Sequence, residues 1–301
     1  MKTAAVDLPE WRTRKEQGSA FLYRVMVCVA LGLGRRAARL ILPFACLYFT
    51  VFSAVSRAAS KRYLSLALSR PAGLADVYRH FHAFASCMLD RVFLLKDRTD
   101  LFEFTIQGED VLTDILERGT GCVLLGAHIG SFEALRAAGR SAAGLRVNMV
   151  MYEENARKIS QVLAAINPEL AGDIISLGRP DSFIEIQQKL AEGRFVGILA
   201  DRSLSGERLV PCRFLGRMAE FSASPFRIMS ILKVPVVFMV ALYRGGGRYD
   251  IHFEMFADVG DLPPRPSAAA LEAIITRYVG RLEHYCRLAP FNWFNFYDIW
   301  I

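Results

Sequence analysis

Cysteine pairs at redox or metal-binding spacing are missing from this chain. Its six cysteines, Cys28, Cys46, Cys87, Cys122, Cys212 and Cys286, stand far apart and mostly in apolar context. Buried thiols in a reducing compartment fit that pattern better than a disulfide framework or a zinc site. Charge is scarce too, at 22% of residues against 53% hydrophobic, which excludes a disordered or tail-like protein. The net charge of +7 comes with no zinc-finger, helix-turn-helix or RNA-binding signature, so no nucleic-acid partner is expected. There is no repeat, heptad or low-complexity segment. HExxH and GxSxG are both absent, so no metal site and no serine-hydrolase elbow is predicted. Histidine is limited to five residues.

What is present starts with the N-terminal region, where basic residues crowd beside apolar ones. Arg12, Arg14, Lys15, Arg24, Arg35, Arg36, Arg39, Arg57, Lys61, Arg62 and Arg70 favour an anionic bilayer surface or an acidic protein partner. The first twenty residues do not follow the plan of a signal peptide. Leu40 to Ser56 carries no charge over seventeen residues, the short limit for a helix that crosses a bilayer, where about 20 is typical. This predicts one membrane helix, or a pair lying partly in the interface; the alternative is a buried N-terminal helix. Residues 1–60 are accordingly expected to form a basic, membrane-associated segment, and 61–301 the catalytic domain.

Residues 61–96 are expected to be helical, with Val77, Phe81, Phe84, Met88, Val92 and Leu95 on one face. The period then changes. LFEFTIQG reads as a strand, DVLTDILERG as a helix, CVLLGAH as a buried strand, and about 131–143 as a helix again. LRVNMVMY and FVGILAD read as further strands, SFIEIQQKLAEGR as the helix between them, and 222–232 and 267–287 as later helices. VPVVFMVALYR is an apolar run, YDIHFEMF alternates like a strand, and Gly245–Gly247 is expected in the hairpin or loop between them. The order is that of an α/β domain with a mostly parallel or mixed central sheet flanked by helices.

His128 ends the strand CVLLGAH, and strand ends in such sheets are common ligand positions. Gly126 and Gly130 bracket it and permit tight turning. A helix starting near Ser131 would place Glu133 in its first turn, where free N–H groups favour negative charge. His128 and Glu133 thus read either as a base with its orienting carboxylate or as packing residues at a helix start. Ser131 is a weaker candidate nucleophile. A second polar island, Asp201 with Arg202, follows FVGILAD; it reads as an anion-binding group or a salt-bridged loop. Phe214 and Gly216 lie in PCRFLGR, where they line an apolar channel or cover the core.

His128-Ile-Gly-Ser-Phe-Glu133 has the HX4E form of the bacterial lipid A biosynthesis acyltransferases, the lauroyl and myristoyl acyltransferase family, and resembles its branch with GHxGSFE-type sequences. The resemblance covers nearly the whole chain: WRTRKEQGS, the apolar segment, the HX4E turn, Asp201-Arg202 with Phe214-Leu215-Gly216, and the NWFNFYDIW ending. It implies a glycerolphosphate-acyltransferase-like fold on the cytoplasmic side of the bacterial inner membrane. The implied reaction moves a fatty acyl group from acyl carrier protein to a hydroxyl of a lipid A precursor or related envelope lipid. His128 would be the general base and Glu133 its partner, with no acyl-enzyme intermediate and no cofactor beyond the acyl-carrier donor. The implied partners are therefore acyl carrier protein, a lipid acceptor and the inner membrane. Where classical members have a Tyr-Arg-Pro type element, this chain has Tyr152-Glu153-Glu154-Asn155, with Arg157 further on. Either Arg157 or Arg202 then supplies the arginine, or the oxyanion is stabilised in another way, and an acceptor such as an aryl polyene lipid or ornithine lipid enters consideration. The alternatives are a thioester hydrolase and a non-catalytic lipid-binding scaffold.

Overall fold

The strand Cys122–Gly126 (β2) is buried along its whole length, as a run of apolar residues with no polar alternation requires when both faces of a sheet are covered. It lies at the centre of a seven-stranded sheet seen in a computed structural model, which describes residues 20–143, 145–152, 166–167, 172–177, 181–203 and 206–301. The other strands are Glu103–Gln107 (β1), Val147–Tyr152 (β3), Ile174–Leu177 (β4), Phe195–Leu199 (β5), Val236–Gly245 (β8) and Arg248–Ala257 (β9). A separate antiparallel ribbon pairs Leu209–Phe214 (β6) with Arg217–Ser222 (β7). The helices are Ala20–Phe52 (α1, interrupted by a kink at Gly34, φ 80°), Ala54–Ala67 (α2), Leu74–Leu94 (α3), Glu109–Glu117 (α4), Phe132–Ala143 (α5), Ser182–Ala191 (α6), Ser224–Leu232 (α7) and Ala268–Leu288 (α8).

The sheet order is β1-β9-β8-β2-β5-β3-β4, and every neighbouring pair is parallel except β8 with β9. This is the mixed α/β sheet read from the sequence. The β8–β9 hairpin turns through Gly245, Gly246 and Gly247, all at positive φ. β9 alternates as expected, with Tyr249, Ile251 and Phe253 buried and Asp250, His252 and Glu254 half-buried. The last long helix starts one residue later than its pattern predicts, at Ala268, because Ser267 caps it by accepting from the Ala270 N–H (3.1 Å).

The chain divides into two compact units. One comprises the chain up to Leu89 with Ala200–Arg227 and Ser267–Ile301; the other comprises Asp90–Leu199 and Ile228–Pro266 and contains the whole seven-stranded sheet.

In the first unit the core is aromatic. Trp293 is fully buried among Tyr63 (4.9 Å between ring centres), Phe214 (5.2 Å) and Trp300 (6.4 Å). His80 is locked beside them: Ser60 Oγ lies 2.8 Å from Nδ1 and the Trp293 carbonyl oxygen 2.8 Å from Nε2. Burial lowers its pKa to about 4, the carbonyl contact opposing. Cys46, Cys87, Cys122, Cys212 and Cys286 are all buried, as their apolar settings predict.

One expectation for the N-terminal half is corrected. The helix over 61–96 is two helices, because the chain breaks at Ser69 (φ 53°) and Pro71; Asp76 secures the restart by accepting from the Gly73 N–H and both outer nitrogens of Arg70. The uncharged run, expected as one membrane helix or a pair, lies on a bent pair of helices. Among the described residues no single helix is long and apolar enough to cross a membrane, though Gly32–Phe52 and Ala54–Ala67, bent by 95°, pass that test together by length and composition. The break falls at Ser53, and Arg57 Nη1 donates to the carbonyls of Thr50 and Val51 that end α1. Over residues 32–52, α1 is not a buried helix. Ala38, Leu42, Cys46 and Thr50 are buried at four-residue intervals, while Leu40, Phe44, Leu47, Tyr48 and Val51 form an exposed apolar stripe.

Candidate active site

The chain leaves β2 at Gly126 and reaches α5 at Phe132, so five residues, Ala127 to Ser131, make the whole connection. So short a turn demands a backbone conformation that most residues resist. Gly130 supplies it: its φ is +64°, and a Cβ there would sit 1.8 Å from the Ala241 carbonyl oxygen. That carbonyl accepts from the Ser131 N–H at 3.0 Å, which ties the turn to β8. Ser131 Oγ then accepts from the Ala134 N–H (3.2 Å), the arrangement of a helix N-cap. Phe132 packs against β5 where Gly197 leaves room, since a Cβ at 197 would lie 2.9 Å from its ring.

This scaffold places His128 two residues beyond the end of a central strand, half-buried. Glu133 is the second residue of α5 and is 7% exposed. The first turn of a helix favours a carboxylate through its free N–H groups. Its ion-pair partner is Arg91, in the last turn of α3, with Nη2 2.7 Å from Oε1. Arg136, one turn along α5, is also buried; burial lowers its pKa, opposed first by Glu133 and then by Asp173, 3.9 Å away.

Arg91 was not singled out by the sequence. Its trace there is faint: Asp90-Arg91 is the only charged pair in the apolar stretch ASCMLDRVFLL. Nothing in linear order says that the end of α3 meets the start of α5.

The other residues named from the sequence fall as follows. Ser131 is buried and its hydroxyl caps α5. Asp201 and Arg202 belong to the first unit. Asp201 is buried and accepts from the Trp293 indole N–H at 2.9 Å. Arg202 donates through Nη2 to the Phe294 carbonyl (3.3 Å), and its guanidinium lies 5.9 Å from the centre of the Tyr297 ring. Tyr297 has its pKa raised by burial and by Asp201, with Arg202 opposing. Phe214 is a core residue stacked on Trp300 (6.0 Å), and Gly216 is the exposed second residue of the β6–β7 turn. Arg157 lies outside the described residues. Among the described residues no group of three His, Cys, Asp or Glu side chains comes close enough to hold a metal ion.

Of the five histidines, His80 is a buried structural residue, His82 stacks on Tyr78, His252 lies within β9 and His284 is exposed on α8. His128 alone follows the end of a strand in the sheet. A half-buried imidazole in a rigid turn, with a buried carboxylate in the first turn of the next helix, is suited to moving a proton.

The sequence profile of the bacterial lipid A biosynthesis acyltransferases matches residues 11–300. The chain belongs to this family. A comparison with curated proteins gives no match. Family membership accounts for an α/β fold with a mixed sheet and for an acyltransferase type of activity. The HX4E pattern then lies where the fold gives a strand end and a helix start to one short turn.

Proposed function

We propose that this protein is a membrane-attached enzyme that transfers a fatty acyl group from an acyl carrier protein thioester to a hydroxyl of an envelope lipid, a lipid A precursor or a related acceptor. His128 is the general base and Glu133 its partner. The observation that carries this reading is the turn itself: the only strand-end histidine of the sheet is followed five residues later by a buried, ion-paired carboxylate.

In the reaction the imidazole takes the proton of the acceptor hydroxyl as the oxygen attacks the thioester carbonyl. The tetrahedral intermediate collapses with loss of the carrier thiolate, which takes the proton back from the imidazolium. Glu133 fixes the imidazole tautomer and offsets its transient charge. No bond to the enzyme forms.

The N-terminal segment, residues 1–60, supplies the attachment, on the cytoplasmic side of the inner membrane. Its support is the exposed stripe on α1, where Leu40 and Phe44 are each 74% exposed, beside the basic residues Arg35, Arg36 and Arg39. Residues 61–301 form the catalytic part.

The test is lipid mass spectrometry of a deletion strain against its complemented counterpart, followed by in vitro transfer with acyl carrier protein thioesters. The reading expects one envelope lipid to lose a single acyl group on deletion. Release of free fatty acid without any acylated lipid would favour a hydrolase instead.

A further inference from the structure

The function proposed above uses His128 and Glu133, and the structure adds a third side chain that supports them. We infer that Arg91 is a positioning residue for acyl transfer, fixing the Glu133 carboxylate and supplying the positive charge that faces it; this rests on the reading of His128 and Glu133 as base and partner.

The neighbouring charges show why this role falls to Arg91. Glu133 has Arg91 of α3 in direct ion pair and Arg136 of α5 in its field, and Arg136 is in turn under the influence of Asp173, Arg140 and Arg91. Asp90, next to Arg91, accepts from the Tyr249 hydroxyl of β9 at 2.9 Å. Arg140 is ion-paired with Asp97, and Arg136 lies 3.9 Å from Asp173. Arg91 pairs directly with Glu133 at 2.7 Å, both side chains nearly out of solvent at 13% and 8% exposure. An arginine held this way limits the rotamers of the carboxylate it grips. It also tempers how strongly the carboxylate can hold a proton on a neighbouring imidazole.

The second effect gives a readout that a merely structural residue would not move. The base must be neutral to act, so kcat/KM rises with pH as the His128 imidazole loses its proton. Removing the positive charge beside Glu133 leaves its negative charge unopposed and favours the protonated imidazole. In Arg91→Gln the acid limb of the profile should move up by about one pH unit. In Arg91→Lys, which keeps the charge, it should stay within a few tenths of the parental position, with KM for the donor unchanged in both. The assay uses dodecanoyl-, tetradecanoyl- and hexadecanoyl-acyl carrier protein as mixed donors and a total lipid extract of the producing cells as acceptor. A limb that stays put in both variants, or moves equally in both, overturns the inference.

A second comparison avoids leaving a buried carboxylate alone. Adding Arg91→Gln to Glu133→Gln removes both charges and should change the residual rate less than threefold relative to Glu133→Gln. A further tenfold loss would mean that Arg91 acts elsewhere and overturns its role through Glu133. His128→Ala in the same assay separates the two proposals. If it keeps the parental rate, the base assignment fails; if it is inactive while the Arg91 profiles do not move, only the inference about Arg91 fails.

Discussion

Gly130 and Ala241 touch so closely that no side chain fits between them: a Cβ on Gly130 would lie 1.8 Å from the Ala241 carbonyl oxygen, which also receives the Ser131 N–H. The turn that carries His128 is therefore fastened to β8. Gly130→Ala should cost about 3 kcal/mol or more, from the clash and the positive φ together. Thermal unfolding in detergent, with the parental protein alongside, checks it. A variant with unchanged stability and activity would show that the turn is looser than described.

Trp293 and Asp201 form the equivalent fixed point of the other unit. Trp293→Phe keeps a ring in the aromatic core but leaves a buried carboxylate without its indole donor, and should cost about 2–3 kcal/mol. Asp201→Asn keeps an oxygen that accepts from the indole and should cost about 1 kcal/mol. Denaturation of the two variants side by side tests the ordering, which fails if Asp201→Asn is the more damaging.

His80 predicts an acid-sensitive core. Its pKa is lowered from 6.5 to about 4 by burial, so the unfolded chain binds the proton first as pH falls. The stability it protects is complete above pH 6.5 and declines through about pH 4, by about 3 kcal/mol in all. Replacing His80 with Gln should flatten the stability profile in that window while lowering stability at pH 7, because contacts to Ser60 and the Trp293 carbonyl are weakened. Unfolding followed at intervals from pH 7 to pH 4 decides this, and an equally steep profile in the variant would refute it.

The exposed stripe of α1 should govern attachment. Leu40→Glu with Phe44→Glu should lower the fraction bound to vesicles of phosphatidylethanolamine with about a quarter phosphatidylglycerol by at least tenfold. Sedimentation with the vesicles measures it. Undiminished binding would place attachment elsewhere in the chain.

Much of this was legible beforehand because burial leaves a plain signature. β2 and β8 are continuous apolar runs, and β9 alternates, so the mixed sheet and the place of His128 could be read directly. The β6–β7 ribbon could not. Its turn is Leu215-Gly216, with Leu215 itself at φ 50°, and it lacks the Asn-Gly chemistry that marks such hairpins; instead Glu283 accepts from the Leu215 N–H at 2.7 Å. The break between α2 and α3 was masked by apolar periodicity on both sides of it. Arg91 was hidden for a different reason. Its partner lies 42 positions away, and an ion pair between two helices leaves no mark on either sequence pattern.

The most direct measurement is acyl transfer by purified His128→Ala protein with acyl carrier protein thioesters and a lipid extract as acceptor. The account predicts at least a thousandfold loss, approximately the loss expected when a positioned general base is removed, with vesicle binding and unfolding temperature unchanged. Transfer at the parental rate by a folded, membrane-bound His128→Ala protein would contradict it.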